Sequence, residues 1–495
     1  MKNMTLSAIA NACGGVYRGS EQYQQKLVSM VTTDSRKMEP DCLFFAIAGE
    51  RVDGHDFIHD MYEKGALCCI SEWELSEEVT EGHPYIQVAS SLQALKDVAA
   101  FYRSGLQAKV VGITGSVGKT STKETIASVL AQQYNVLKTL GNFNNEIGVP
   151  LTIFRMTEET EAAVIEMGIS DFGEMTRLAQ IVRPDISVIT NIGQCHLENL
   201  KTRDGILKAK TEMFDYLAED GSVVLNGDDD KLRTITQVKD RKPYFFGIEQ
   251  QKTAAVYAKN IVNLGLDGMQ CDICVRDTAH GNGAEHASDT AGWSSTDAEV
   301  RGNGVTQLQQ VHIPIPGHHM VYNALAATMV GRLLGMDSEQ IRKGLEQIES
   351  LSGRNHILHE NTLTIIDDCY NANPVSMKAS IDVISTAIGR KVCILGDMFE
   401  LGEQEKQLHY EVGAYLAEKP VDLLIAVGGL SEQLAQGTKD TNAEQTCTVV
   451  HFATRDEMLL QLSQLIHKGD SVLVKASHGM EFPKVVECLT KLQLS

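Results

Sequence analysis

An α/β fold divided into three domains is predicted by three observations. The chain has 495 residues, beyond the roughly 250–300 at which a single hydrophobic core stops growing. Short apolar runs alternate with helical stretches over most of its length, which implies parallel sheets with helices on their faces. One alternation carries "GITGSVGKTSTKETIASVL" (residues 112–130), a buried strand that runs into a glycine-rich turn and then a helix.

Residues 1–105 form the first predicted domain, a small α/β unit. Its strands are read in "CLFFAIAG" and "ALCCISE", and the amphipathic "SLQALKDVAAFYRS" leads into the next block. Residues 106–330 form a central parallel-sheet domain. Here "KVVGIT", "AAVIEMG" and "ISVITNIG" read as strands and "MTRLAQIV" as a helix. Residues 331–495 repeat the alternation with "KVCILGD", "LLIAVGG" and "SVLVKAS", which predicts a Rossmann-like third domain. The stretch 276–304 is rich in Gly, Ser, Ala and Asp and has no period. It reads as a surface hairpin or excursion, not a boundary.

A formal charge of −21 argues against nonspecific nucleic-acid binding, which needs a basic surface. Eleven cysteines, several inside apolar runs (Cys68, Cys69, Cys393), read as reduced cytosolic thiols. Cys271 and Cys274 make one C-x-x-C with no second pair or H-x-x-x-H nearby, so a strand, "MQCDICV", is expected there in preference to zinc. The start lacks a signal-peptide pattern, and no apolar run approaches the ~20 residues of a membrane span. A cytoplasmic monomer without membrane or nucleic-acid partners is expected.

The glycine turn suits a phosphate chain, which binds where backbone N–H groups converge at a helix N-terminus. Gly115 and Gly118 let the backbone curl, with Ser116 and Val117 between them and Ser121 beyond. Lys119 supplies a point charge to the β/γ oxygens, and Thr120 a hydroxyl to Mg²⁺. The strict G-x-x-x-x-G-K-[ST] pattern fails at its first position, Ile113. Between an apolar strand and a helix, the shorter match still predicts ATP or GTP binding.

Kinases, switch GTPases and ligases share such a loop, so the chemistry must be read downstream. Glu166 ends one strand; Asn191 and then His196 follow another. Ligands of open α/β sheets gather at strand carboxyl ends, so Glu166 and His196 could converge on a metal; each alone also suits a structural role. Lys208 and Lys210 lie on one short helix. They read either as lysines on a solvated face or as a buried lysine carrying CO₂ as a carbamate, an oxygen ligand for Mg²⁺.

Taken together, these motifs resemble the Mur ligase family over nearly the whole chain. "TTDSRKMEPDCLFFAIAGERVDGHDFI" is similar to the family's N-terminal uridine-nucleotide domain, and "GITGSVGKTSTKE" to its P-loop. "GNFNNEIGVPLTIF", "EMGISDFGEM", "DDCYNANPVSMKASID" and "ILGDMFELGE" resemble the branch that adds D-Ala-D-Ala. The resemblance implies ATP-dependent amide-bond formation between UDP-MurNAc-tripeptide and D-Ala-D-Ala through an acyl phosphate, in peptidoglycan precursor synthesis. It implies Lys119 on the β/γ phosphates, Thr120 on Mg²⁺, Glu166 and His196 holding metal, and Lys210 as the carbamylated lysine.

By the same resemblance, Asn323 lies near the adenine, Arg354 and Asp368 reach the nucleotide from the third domain, Ser35 and Arg36 meet the UDP moiety, and Asn145 lies near the sugar or pyrophosphate. Closure of the third domain over ATP is expected. Three positions depart from the family pattern: Met320 stands for Asn, Ala476 for Gly and His478 for Arg. Arginine is always charged and forks onto carboxylates; histidine changes charge near neutrality. The rival readings are a Mur-type or folylpolyglutamate-type ligase with another amine, and a P-loop nucleotide-binding protein without ligase activity.

Overall fold

Residues 1–49, 51–276, 305–360, 362–442 and 446–492 are described by the computed structural model. The excursion at 276–304 falls outside these residues, except for Arg276, which closes a strand. The chain packs as two units: one is built from Met1–Thr114, Tyr134–Val188 and Lys210–Ser222, the other from Gly115–Gln133, Ile189–Ala209 and Val223–Ser495.

The first unit opens with β1 (Val16–Arg18), β2 (Val31–Thr32), β3 (Leu43–Phe45), β4 (Cys68–Ser71) and β5 (Tyr85–Gln87), in sheet order β1-β5-β4-β3-β2. The last four are parallel and β1 runs antiparallel to β5. Their "FF" and "CCI" runs are buried, as expected for strands covered on both faces. The helix Ser91–Ser104 starts at Ser90, whose hydroxyl accepts from the Gln93 amide. It buries Ala94, Leu95, Val98, Ala99 and Tyr102, one stripe of helical period.

Next come β6 (Lys109–Thr114), β7 (Val136–Lys138), β8 (Ala162–Glu166) and β9 (Ile186–Ile189). β8 pairs in parallel with β6 on one side and β7 on the other. The predicted "MTRLAQIV" helix is Glu174–Val182; its first amides are capped by Glu212, which accepts from Gly173 N, Thr176 N and Thr176 Oγ1.

In the second unit, β10 (Ser222–Asn226), β11 (Tyr244–Gly247) and β12 (Val256–Asn263) are parallel neighbours. β13 (Met269–Arg276) and β14 (Val305–Ile313) extend them antiparallel. Cys271 and Cys274 are buried in β13, the strand read from "MQCDICV". The P-loop helix Lys119–Leu130 packs against Ser338–Glu346 with almost no gap. A Cβ on Gly344 would lie 2.4 Å from Val129 Cα, so only glycine permits this approach.

The last sheet holds β15 (His356–Glu360), β16 (Leu363–Asp367), β17 (Lys391–Gly396), β18 (Leu423–Val427), β19 (Thr448–Phe452) and β20 (Ser471–Lys475), in order β15-β16-β20-β17-β18-β19. Only β15 is antiparallel. Helices cover both faces. Met377, Ile381, Leu408, Val412 and Leu434 pack on one, and Met458, Leu462, Phe482, Val485 and Leu489 on the other. This is the expected Rossmann-like arrangement. The final strand, β20, is inserted between β16 and β17, which brings Asp367 and Lys475 to neighbouring strand ends. Among the described residues no helix is long and apolar enough to cross a membrane.

Candidate active site

The glycine loop begins where β6 ends. Gly115 has φ +151°, and a Cβ there would sit 1.9 Å from Thr190 Oγ1; Gly118 has φ +82°. Both positions therefore demand glycine. The loop is braced by the segment after β9. Ser116 N donates to Asn191 O (3.0 Å) and Val117 N to Asn191 Oδ1 (2.9 Å). Asn191 Nδ2 and Thr190 Oγ1 both donate to Val117 O (2.9 and 2.7 Å), and Gly193 N donates to Ser116 Oγ (2.9 Å). Lys119 Nζ reaches back to Gly115 O (2.9 Å), and Thr120 is buried in the first helical turn.

A small cleft opens beside this helix, lined by Ser121, Glu124, Met320, Leu351, Arg354 and Asn355 among others. The structure thus brings together Ser121 and Arg354 and gives them Met320 as part of the same wall. Asn323 lies deeper. Its Oδ1 accepts from Thr122 Oγ1 (2.8 Å) and its amide contacts Met320 Sδ (3.2 Å), which ties His319–Leu333 to the P-loop helix.

Asp368 is buried at the end of β16. It accepts from Lys475 Nζ (2.6 Å), Ser380 Oγ and Asn355 N (3.1 Å). His319, whose Nε2 accepts from Asn355 Nδ2 at 3.3 Å, has its pKa lowered by burial, with the nearby Asp368 opposing the shift. Lys475 and Tyr370 were not singled out by sequence reasoning, yet Lys475 partners Asp368 and the Arg354 guanidinium lies 4.1 Å from the Tyr370 ring centre.

In the first unit, Glu166 is buried at the end of β8, and its Oε1 accepts from Asn144 Nδ2 (2.8 Å). The "GNFNNEIG" motif supplies that asparagine. Lys208 and Lys210 separate cleanly on the helix Arg203–Thr211: Lys208 is exposed, whereas Lys210 is 1% exposed. His196 belongs to the second unit. It sits at φ +51°, capping Leu197–Leu200, with Nδ1 3.0 Å from Glu400 Oε2.

Ser35 and Arg36 lie just after β2. Ser35 O faces Lys64 Nζ (3.5 Å), and Arg36 forks onto Asp34 (2.9 and 3.0 Å), an ion pair that holds the Asp34 carboxyl down to about 2. Asn145 caps the helix Gly148–Phe154 by accepting from Ile147 N and Gly148 N. Beside it, Glu146 pairs with Lys96 and Arg177.

Residues 27–103 match the Mur ligase family catalytic domain, 113–331 the Mur ligase middle domain, and 353–478 the Mur ligase glutamate ligase domain. A Bacillus subtilis protein named UDP-N-acetylmuramoyl-tripeptide–D-alanyl-D-alanine ligase is 35% identical over 100% of both chains. The chain belongs to the Mur ligase family. Two solved structures share its three-domain α/β fold. MurF from Acinetobacter baumannii is 30% identical, covers 99% of each chain and superposes with a TM-score of 0.83. MurF from Thermotoga maritima in complex with ADP is 26% identical over 93% of this chain and 97% of that one, with a TM-score of 0.76.

In this Mur ligase, Asn191 has a role that its place after a strand did not disclose: its side chain and carbonyl clamp the glycine loop. Asn144, Glu400 and Tyr370 sit inside motifs that carried the family resemblance. Their contacts to Glu166, His196 and Arg354 appear only once the chain is folded.

Proposed function

We infer that this Mur ligase joins the terminal carboxylate of UDP-MurNAc-tripeptide to the amine of D-Ala-D-Ala, splitting ATP to ADP and phosphate. The observation that carries the reading is the full-length 35% identity to the Bacillus subtilis protein of that name. A P-loop beside a cleft lined by Ser121 and Arg354 supports it.

A carboxylate is a poor electrophile and must be activated. Its oxygen attacks the γ-phosphorus and ADP leaves, giving an acyl phosphate. The dipeptide amine attacks the acyl carbon, the tetrahedral intermediate expels phosphate, and the amine proton is released. The first step brings two anions together, so charge neutralisation dominates the catalytic demand. Lys119 answers it at the β/γ phosphates, and Arg354 and Asp368 position the nucleotide from the C-terminal side with Asn323 behind the adenine.

Mg²⁺ prefers oxygen donors, and the reading assigns it the Thr120 hydroxyl, the Glu166 carboxylate and a carbamate on Lys210, with His196 adding a nitrogen; Glu166 accepts from Asn144 and Lys210 is enclosed. When bound, the ion supplies charge neutralisation to the phosphates. Enclosure favours Lys210 over exposed Lys208 as the modified residue, because a buried ammonium is costly and a metal-bound carbamate removes it. Residues 1–105 take the uridine nucleotide with Ser35 and Arg36, 106–330 take ATP and carry Asn145 near the sugar, and 331–495 complete the site. The enzyme works in the cytoplasm as a monomer.

Incubation with UDP-MurNAc-tripeptide, D-Ala-D-Ala and ATP, followed by mass spectrometry, tests the assignment. A nucleotide-linked pentapeptide is expected. A product formed with glutamate or a diamino acid, and none with the dipeptide, would overturn the substrate and keep the ligase.

A further inference from the structure

Arg354 has five N–H donors on a long flexible stem, and such a side chain needs support to point one way. The fold builds that support from the segment 367–370. Asp367 Oδ2 accepts from Ser352 Oγ (3.1 Å) and Gly353 N (2.7 Å), and Asp368 Oδ1 accepts from Asn355 N (3.1 Å). Tyr370 N donates to Gly353 O (3.1 Å). Gly353 has φ +77°, and a Cβ there would lie 3.2 Å from Tyr370 Cβ and N, so the two segments lie as close as backbone allows.

On this strap the Arg354 guanidinium carbon sits 4.1 Å from the Tyr370 ring centre. The Tyr370 ring is also in contact with His478, with ring centres 5.7 Å apart and planes tilted by 46°. Arg354, Tyr370 and His478 form a chain of neighbouring side chains that starts at the cleft wall and ends at the segment after β20.

We propose that Tyr370 is a positioning residue for the ligase reaction, holding the Arg354 guanidinium over its ring so that the N–H fork is presented to the nucleotide phosphates in the cleft. The inference rests on the reading of that cleft as the nucleotide site. In this role Tyr370 acts through Arg354. Its ring supplies the attraction, so a phenyl group serves as well as a phenol, whereas an aliphatic side chain of similar bulk does not.

The test is ADP binding by calorimetry to the full-length chain, with ATP and dipeptide KM values measured in parallel. Tyr370→Phe should bind ADP within about twofold of the parent, and Tyr370→Leu about fivefold more weakly. KM for ATP should rise by a similar factor in Tyr370→Leu while KM for D-Ala-D-Ala stays put. In an Arg354→Ala background, Tyr370→Leu should cost nothing further, because the residue acts through Arg354. Tyr370→Met, read by the same criteria, replaces the leucine variant if that chain melts without a cooperative transition. An equal loss from Tyr370→Leu in both backgrounds, or a phenylalanine variant as weak as the leucine one, overturns the positioning role. A parent chain that binds no ADP overturns the nucleotide reading of the cleft and the inference with it.

Discussion

Asn191 grips Val117 with both ends of its amide: Oδ1 accepts from Val117 N and Nδ2 donates to Val117 O, each at 2.9 Å. The middle of the phosphate-binding loop is thereby fixed from a second strand end rather than by its own sequence.

Removing that grip should loosen the loop without unfolding the sheet. Two hydrogen bonds contribute about 1–3 kcal/mol together. Asn191→Ala is therefore expected to raise KM for ATP by about tenfold, with a smaller effect on KM for the dipeptide. Steady-state kinetics with each substrate varied would reveal it; an unchanged KM for ATP would show that the glycine loop holds itself.

The two lysines of Arg203–Thr211 should differ sharply. Lys208→Ala exposes nothing and is expected to keep activity within about threefold, as for most surface changes. Lys210→Ala removes an enclosed side chain and should lower kcat by at least about a hundredfold. A carbamate carbon signal in protein supplied with ¹³C-bicarbonate, absent from Lys210→Ala, would tie the loss to the modification. Equal activity of the two variants would contradict the assignment.

Burial sets a pH limit on stability. His409 is fully enclosed, its Nε2 accepting from Met398 N and its Nδ1 facing Glu405 O, and burial lowers its pKa although the Glu405 carbonyl and the nearby Asp397 oppose the shift. Burial lowers His319 as well. The unfolded chain binds these protons more readily, near pH 6.5, so the neutral imidazoles contribute their full stability above that pH. The contribution is lost as pH falls through the folded-state values. The melting temperature should be level between about pH 7 and 8 and fall from about pH 6.5 to 5.5. A flat profile in the lower window would count against it.

Helix contact at the P-loop offers a packing test. Gly344→Ala would force a methyl to within 2.4 Å of Val129 Cα. Overpacking of this kind costs about 1–3 kcal/mol, which for a large chain lowers the melting temperature by about 2–10 °C. A thermal shift below 1–2 °C would mean the two helices slide apart freely.

Much of the fold was legible because parallel strands are written as apolar runs. "KVVGIT", "AAVIEMG", "KVCILGD" and "SVLVKAS" each became a buried strand. The glycine loop was legible because Gly115 and Gly118 occupy conformations that other residues rarely adopt. Long-range partners were not. Nothing local says that Lys475 meets Asp368 across 107 positions, or that Asn191 meets Val117 across 74. Those pairings follow from strand order, which periodicity leaves open. The burial that separates Lys210 from Lys208 also depends on what packs above the helix, and their spacing of two residues carries no such information.

ATP cleavage in this ligase is coupled to amide formation between two particular substrates. The decisive measurement is phosphate release from ATP with UDP-MurNAc-tripeptide, in the presence and absence of D-Ala-D-Ala. Sustained release is expected only when both are present, with pentapeptide formed in equal amount. Release that continues unchanged without the nucleotide sugar would contradict it and leave a nucleotide-binding loop whose chemistry lies elsewhere.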